Sequence, residues 1–255
     1  MYLFVFMDNL LRLTSTESTN DDAYRLASKG VEHGFGVLAD TQFAGKGRLG
    51  KAWVSPVASG LYCSIVLRPD LPFSEFPKLT LTAGLALCSV VELLLPEVSF
   101  GLKWPNDLYS EGKKCGGILV ESSSPHNESE DSFVVVGIGL NVNTPMDMFP
   151  LELQAKATSL FILGSGILDI TQLYGKIHRA LLHHLHIHET DGFSPILEKW
   201  RRKDVLLGKE MQWVTREKKL ITAIGMGPDK NGQLLAKDKS GRVYEILSGD
   251  VQLAK

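Results

Sequence analysis

The run Asp40-Thr-Gln-Phe-Ala-Gly-Lys-Gly-Arg-Leu-Gly-Lys-Ala-Trp53 decides how the rest of the chain is read. Gly45, Gly47 and Gly50 sit among the cations Lys46, Arg48 and Lys51. Glycine lets a backbone turn sharply and approach a ligand closely. Exposed N–H groups beside fixed positive charge attract anions. Two familiar motifs almost fit. Gly45-x-x-x-x-Gly50-Lys51 has P-loop spacing, but Ala52 stands where a Ser or Thr would hold magnesium. Gly45-x-Gly47-x-x-Gly50 has the spacing of a dinucleotide fingerprint. Both need a helix straight after the glycines, to offer its N-terminus to phosphate. Trp53-Val-Ser favours extended backbone, and Pro56 and Gly60 come too soon for a helix. The loop therefore reads as an anion site of another geometry, or equally as an ordinary charged hairpin turn.

Working outward, residues 34–41 and 60–67 read as strands flanking this loop. Upstream, Ser15 to Asn20 is a polar cluster ahead of a helical pattern through Ala23, Leu26 and Ala27. Some residue there caps the helix, and Ser18, Thr19 and Asn20 also present short donors and acceptors to a polar ligand. Downstream, Leu79 to Leu95 is an apolar helix pattern ended by Pro96. Phe100 to Tyr109 carries Lys103-Trp-Pro-Asn106-Asp107, where Pro105 biases Trp104 to be extended and Asn106-Asp107 forms a turn pair. An ordinary ion pair between Lys103 and Asp107 would also explain that run. Lys113 to Glu121 is a turn entering a strand, in which Gly116 and Gly117 suit close approach of a ligand or another strand. An acidic hairpin tip, Ser122 to Asp131, joins it to the apolar strand Phe133 to Gly139, which ends in Gly137-Ile-Gly139-Leu-Asn141-Val-Asn143. Ser159 to about Arg202 reads as helical. Its five histidines have no acidic partner at metal-ligand spacing, and a partly solvated helix face is expected rather than a metal site.

From Leu207 the texture changes. Five short alternating runs, Met211–Val214, Leu220–Met226, Gln233–Ala236, Val243–Leu247 and Val251–Leu253, are divided by turn residues, as in a small all-β barrel. The expected division is residues 1–204 and 205–255.

Composition sets bounds on these readings. A chain of 255 residues, 44% hydrophobic, supports one large domain or a medium domain with a small one attached. A net charge of −2 argues against general nucleic-acid or membrane-surface binding. Cys63, Cys88 and Cys115 are odd in number and widely spaced, which suits a reducing cytoplasm. The start, MYLFVFMDNLL, lacks the basic flank and cleavage site of a signal peptide and reads as a strand. Leu79 to Val91 is too short to span a bilayer.

The polar groups at strand ends and turns include five cations, Lys46, Arg48, Lys51, Lys103 and Lys114, against one carboxylate, Asp107. So positive a site in a slightly acidic protein implies a polyanionic substrate. A nucleoside triphosphate together with a carboxylate fits, because cations must bring two anions together and stabilise the pentacoordinate phosphorus between them.

Gly45-Lys-Gly-Arg-Leu-Gly-Lys51, Lys103-Trp-Pro-Asn-Asp107, Lys114-Cys-Gly-Gly-Ile-Leu-Val-Glu121 and Gly137-Ile-Gly-Leu-Asn141 resemble, in order and spacing, the consecutive motifs of the biotin protein ligases. The resemblance implies an α+β fold: a mixed β-sheet catalytic domain with flanking helices, class II synthetase-like, and a small C-terminal SH3-like barrel. It implies biotin and ATP as substrates, with Mg2+ accompanying ATP. Biotin is first activated to biotinyl-5′-AMP and then transferred to a lysine of a biotin carboxyl carrier protein domain. On this resemblance Ser18, Thr19, Asn20 and Gln42 contact the bicyclic head of biotin. Lys46, Gly47, Arg48, Lys114 and Gly117 surround its valeryl chain and carboxylate. Lys51, Trp53, Lys103, Asn106 and Asn141 serve the nucleotide. Arg48, Asp107 and Lys114 are the catalytic candidates, Asp107 steering and deprotonating the incoming amine, and no protein-held metal is expected. Lys46 and Lys51 stand where the family often has arginine, which keeps the charge and loses the bidentate fork.

Some family members carry an N-terminal DNA-binding module. The Ser-Thr-Asn cluster begins here at Ser18, so the expectation is a cytoplasmic ligase without that arm, binding neither DNA nor membrane, with a homodimer as a compatible assembly. A lipoate-type ligase and a non-catalytic biotin or nucleotide sensor are the competing readings.

Overall fold

The computed structural model describes residues 5–7, 9–123, 132–247 and 252–253. The chain opens with β1 (Val5–Met7), β2 (Leu10–Leu13), α1 (Thr19–Ala27), β3 (Gly36–Ala39) and β4 (Gly60–Leu67). After α2 (Leu79–Leu94) come β5 (Phe100–Lys103), β6 (Asp107–Ser110), β7 (Lys113–Ser122), β8 (Val134–Asn141) and the short α3 (Leu151–Gln154). The helices α4 (Ile170–Asp191) and α5 (Ser194–Arg201) precede β9 (Glu210–Val214), β10 (Leu220–Pro228), β11 (Leu234–Lys237), β12 (Val243–Glu245) and β13 (Gln252–Leu253). Three readings lie partly outside the described residues: the opening strand at 1–4 and 8, the acidic tip at 124–131, and Val251 of the last run.

Among the described residues the first sheet has eight strands in the order β1-β2-β3-β4-β8-β7-β6-β5. Only the β2–β3 pairing within it is parallel. The second sheet has five antiparallel strands, β12-β11-β10-β9-β13. This is the α+β arrangement expected from the sequence, a mixed sheet with flanking helices and a small β unit after it.

Strand periodicity sets the two faces of the large sheet. Along β8, Val134, Val136, Ile138 and Leu140 enter the main core, together with Cys63, Ile65 and Leu67 of β4. That core is closed by α2, which packs against α4 and α5. Apolar on nearly every side, α2 is buried from Leu79 to Val91 save at a few positions, as a helix without a polar stripe must be. The segment Phe73–Leu94 is long and apolar enough to cross a membrane by length and composition, yet most of it is buried in this fold. The opposite face is only partly covered. Val37, Ala39, Val66 and Val135 pack under Ala23 and Ala27 of α1, and beyond Val135 the same row of β8 continues as Gly137 and Gly139.

The helical stretch begins later than the sequence pattern suggests. Residues 159–169 are turns, because Gly164 and Gly166 take left-handed backbone, φ 101° and 66°, that ends any helix. Asp169 then caps α4, accepting from the Thr171 and Gln172 N–H groups at 2.8 and 3.0 Å. The histidines of α4 go to separate structural duties. His178 Nε2 lies 2.7 Å from the Gly34 carbonyl, and His188 sits between Thr82 and Glu75 at 3.1 and 3.4 Å.

The second sheet hangs from β5. The Leu102 N–H donates to the Lys203 carbonyl at 2.7 Å, and the Trp104 indole donates to the Gly232 carbonyl at 3.0 Å. Asp204 lies in this junction. Its Oδ1 accepts from the Leu206 N–H at 2.8 Å, while Oδ2 is buried without a partner. Burial pushes the carboxyl up to about 6, more than the Leu206 N–H, Arg201 and Lys209 pull it down. The unfolded chain releases this proton near the ordinary carboxylate value, so the folded state binds it more tightly. The stabilising contribution is therefore full below that value and is lost as pH rises through about 6. Asp204→Asn is expected to flatten the fall in stability between roughly pH 4 and 6.5. Melting curves of wild type and variant that stay parallel across that window would show that Asp204 does not titrate there.

Candidate active site

The uncovered face of the large sheet is floored by glycine. Gly117 of β7 is paired with Gly139 of β8, and Gly137 lies two residues along the same strand. Each missing side chain is replaced by one from elsewhere. A Cβ on Gly137 would stand 2.1 Å from Asn20 Oδ1, and one on Gly139 would stand 2.5 Å from the Trp53 ring. A Cβ on Gly117 would stand 3.2 Å from Lys114 Nζ. Above this floor is a cavity of about 310 Å³.

One end is walled by the first turn of α1. Ser18 occupies the N-cap position with extended backbone but makes no capping bond through its side chain. The Thr19 N–H is satisfied from outside instead, donating to Gln42 Oε1 at 2.9 Å. Thr19 Oγ donates to the same oxygen at 3.1 Å, and Gln42 Nε2 donates to Ser55 Oγ at 3.0 Å. Ser64 Oγ lies 2.8 Å from Thr19 Oγ and 2.6 Å from Asn20 Oδ1. Asn20 Nδ2 donates to Glu121 Oε2 at 2.7 Å. Ser18, Thr19, Asn20 and Ser64 are all buried, so each contact replaces one that water would otherwise make.

The glycine loop forms the roof. It is a hairpin in which the Gly47 N–H donates to the Lys51 carbonyl and the Trp53 N–H to the Gly45 carbonyl, at 2.7 and 2.8 Å. A single 3-10 turn at Arg48–Gly50 makes its tip, and no α-helix follows, in keeping with rejection of the P-loop and dinucleotide motifs. The tip carries Leu49 exposed. Lys46 is ion-paired with Asp21 of α1, which holds its ammonium above the ordinary lysine value. Arg48 reaches the other wall, Nη1 lying 3.5 Å from Asn106 Oδ1. Burial lowers the Arg48 guanidinium from its ordinary value, and Asp107 opposes that.

The far wall is the turn between β5 and β6 with the start of β7. The Trp104–Pro105 peptide in this turn is cis. Asn106 is stitched to β7, its Nδ2 donating to the Ile118 carbonyl at 2.8 Å and its own carbonyl accepting from the Ile118 N–H at 2.9 Å. Lys103 Nζ lies over the Tyr109 ring at 5.2 Å. Asp107 Oδ1 and Lys114 Nζ form an ion pair at 2.6 Å, with Lys114 also 5.4 Å from the Trp53 ring centre. The pair depends on a β-bulge. Leu108 is opposite Gly116 but Tyr109 is opposite Lys114, one residue being skipped on β7. Strict alternation would put Lys114 and Gly117 on opposite faces, and the bulge turns Lys114 onto the face of the glycine floor.

The cavity thus gathers Ser18, Thr19, Asn20, Gln42, Lys46, Gly47, Arg48, Lys51, Trp53, Lys103, Asn106, Asp107, Lys114 and Gly117 from four separate stretches of the sequence. Asn141 does not line it. Its Nδ2 donates to the Thr158 carbonyl at 2.9 Å and ties the end of β8 to the following turns. Asn143 is likewise structural, bonded both ways to the Leu168 backbone at 2.8 and 2.9 Å. Sequence reasoning missed Ser55, Ser64 and Glu121. Ser64 had a signal, a hydroxyl in the middle of the apolar run Gly60–Leu67, where a buried polar group must find a partner.

Comparison with known proteins agrees with this geometry. Residues 12–141 match the model of the Biotin/lipoate A/B protein ligase family. The bifunctional ligase/repressor BirA of Bacillus spizizenii is 34% identical over 236 residues, which cover 92% of this chain and 71% of that one. The biotin–[acetyl-CoA-carboxylase] ligase of Mycobacterium tuberculosis is 31% identical, over 94% of this chain and 86% of the relative. A solved structure of biotin protein ligase from Aquifex aeolicus in complex with biotin and ATP superposes with a TM-score of 0.80 at 32% identity, covering 98% of this chain and 100% of that one.

Three glycines and three like charges in one hairpin give the roof little packing of its own. Backbone amides from about Phe43 to Trp53 are therefore expected to exchange with deuterium faster in the free protein than with biotin plus ATP. Equal protection in the two states would show that the roof is already rigid.

Proposed function

Because the chain belongs to the biotin/lipoate A/B protein ligase family, we propose that the cavity over the glycine floor holds biotin and ATP end to end, with the acyl-adenylate formed between Arg48 and Lys114. The activity of the chain is that of a biotin protein ligase using biotin and ATP. The reading of the site rests above all on one observation, the Asp107–Lys114 pair held at 2.6 Å beside Arg48 at the cavity wall.

In the first half-reaction a carboxylate oxygen of biotin attacks the α-phosphorus of ATP, and the bond to the β-phosphate oxygen breaks, releasing pyrophosphate. Two anions must meet, and water must be excluded while they do. Lys114 neutralises the carboxylate. Arg48 stabilises the charge growing on phosphorus, a task for which one preorganised donor supplies about 3–4 kcal/mol. Lys51 and Lys103 attend the phosphates, and Trp53 the nucleotide. At the other end Thr19, Asn20 and Gln42 hold the bicyclic head. Among the described residues no group of three or more His, Cys, Asp or Glu side chains is placed to hold a metal. Magnesium would arrive on the triphosphate, whose oxygens are the hard ligands it prefers.

In the second half-reaction a lysine amine attacks the acyl carbon and AMP leaves with the electrons of the acyl–phosphate bond. The amine must lose a proton, and Asp107 is the carboxylate placed to accept it. Lys114, its ion-pair partner, polarises the acyl carbonyl as negative charge moves onto oxygen. The amine donor is a biotin carboxyl carrier protein domain. The cytoplasm is the proposed compartment, supported by three free, buried thiols, Cys63, Cys88 and Cys115.

Exchange of labelled pyrophosphate into ATP tests the first half-reaction. Biotin should support exchange and lipoate should not, and exchange with lipoate in place of biotin would favour a lipoate-type ligase. The second half-reaction has an internal control in two adjacent lysines. Lys114 faces Asp107 across the cavity wall, whereas nothing places Lys113 at the site. Lys114→Ala should severely impair biotinyl transfer to a carrier domain in a single-turnover assay, with Lys113→Ala close to wild type. Equal behaviour of the two variants would remove Lys114 from the reaction.

A further inference from the structure

The polar groups around Asn20 have a direction, and Glu121 sets it. A carboxylate accepts hydrogen bonds and donates none. Glu121 Oε2 therefore takes the amide nitrogen of Asn20, at 2.7 Å. That turns Asn20 Oδ1 to Ser64, whose hydroxyl donates to it at 2.6 Å, and to the bare Cα of Gly137 on the cavity floor. The other end of the network is fixed by a group that only donates. The backbone N–H of Thr19 meets Gln42 Oε1 at 2.9 Å, which sends Gln42 Nε2 toward Ser55 at 3.0 Å.

Two valences are left facing the cavity. Asn20 Oδ1 keeps one lone pair after Ser64, and Gln42 Nε2 keeps one hydrogen after Ser55. An acceptor and a donor lining the same end of the cavity complement the N–H and C=O of a cyclic urea. Ser64 could not impose this order, since a hydroxyl accepts as readily as it donates and would serve either orientation of the Asn20 amide.

We propose that Glu121, which touches no ligand, is the positioning residue that makes the head-group end of the cavity specific for a cyclic urea, by holding Asn20 with its oxygen toward the floor. This rests on the reading that the head of biotin lies there. Glu121→Gln keeps the shape and weakens the constraint, because a glutamine amide both donates and accepts, leaving only the longer 3.5 Å contact of Asn20 Nδ2 with the Leu119 carbonyl to order the amide.

The test is steady-state pyrophosphate exchange with biotin and with biotin carrying a methyl group on one or the other ureido nitrogen. In Glu121→Gln the KM for biotin should rise about tenfold, the scale of one hydrogen bond, while the KM for ATP and kcat change by less than about twofold. The wild-type preference for biotin over the analogue methylated at the nitrogen facing Asn20 should shrink in the variant. An unchanged KM for biotin overturns the proposal. So does a parallel loss in both KM values and kcat, which marks a purely structural residue. If Glu121→Gln does not fold, Glu121→Ala replaces it with the same readout. A biotin KM about tenfold higher with the KM for ATP and kcat within about twofold supports the assignment, and an unchanged biotin KM or a parallel loss in all three overturns it. A wild-type protein without biotin-dependent exchange would fail the functional reading itself, and this inference with it.

Discussion

The site depends on the absence of three side chains. Gly117, Gly137 and Gly139 leave a stretch of sheet where backbone is bare on one face, and Asn20, Trp53 and Lys114 lie directly upon it. A methyl group on Gly137 or Gly139 would stand at 2.1 or 2.5 Å from these neighbours, well inside van der Waals contact. The large sheet cannot supply such a surface with ordinary residues, because any Cβ projects from the pleat into the space the ligand and its binding groups need. On its other face the same strand carries Val134, Val136, Ile138 and Leu140 into the main core. Alternation in β8 thus separates two jobs, one face anchoring the sheet through α2 and the other left open to hold a ligand.

Two of the cations around this floor are paired with acids. Lys46 is paired with Asp21 on the first turn of α1 and Lys114 with Asp107 beside the β-bulge. The more exposed of the two, Lys46–Asp21, contributes about 0–1 kcal/mol as surface pairs do. It orients the ammonium group, yet yields readily to an incoming carboxylate or phosphate. The Lys46–Asp21 contact also joins the roof to α1, beside the hydrogen bonds from the Phe43 and Ala44 N–H groups to the Thr16 and Glu17 carbonyls, both at 2.9 Å. Arg48 lies deeper, where burial already disfavours its charge and Asp107 partly compensates. A negatively charged partner would add to that compensation.

The junction with the second sheet is held by groups adjacent to the site. Trp104 belongs to the turn that carries Lys103, Asn106 and Asp107, and its indole is bonded to the Gly232 carbonyl between β10 and β11. The small sheet thus buttresses the turn that carries Asp107. Such a bond, about 1 kcal/mol net, is modest alone, but here it fixes the orientation of a large ring and hence of the peptide on either side.

The division between what was legible in the sequence and what was not follows the range of the forces involved. Local signals were enough for the elements. Short apolar runs bounded by turn residues marked β4 and β8, an all-round apolar pattern marked α2, and turn residues at short intervals marked the strands of the second sheet. The glycine loop was legible because its constraint is local too, three glycines and three cations within seven residues. The late start of α4 was not, since residues 159–169 carry an apolar pattern compatible with helix and only the turns around Gly164 and Gly166 break it. Asn141 looked like a ligand group by its place after a glycine-rich strand, but it does not line the cavity, and its Nδ2 donates to the Thr158 carbonyl. The ordering of the Asn20 amide by Glu121 joins residues 101 positions apart, and the pairing of Lys114 with Asp107 needs a skipped residue in β7. By itself, then, the sequence determined the elements, the charge of the site and most of its residues, because propensity, periodicity and charge are properties of short segments. Which face each side chain points to, and which amide atom meets the cavity, was decided only by the tertiary structure, because both depend on strand register and on contacts between segments far apart in the chain.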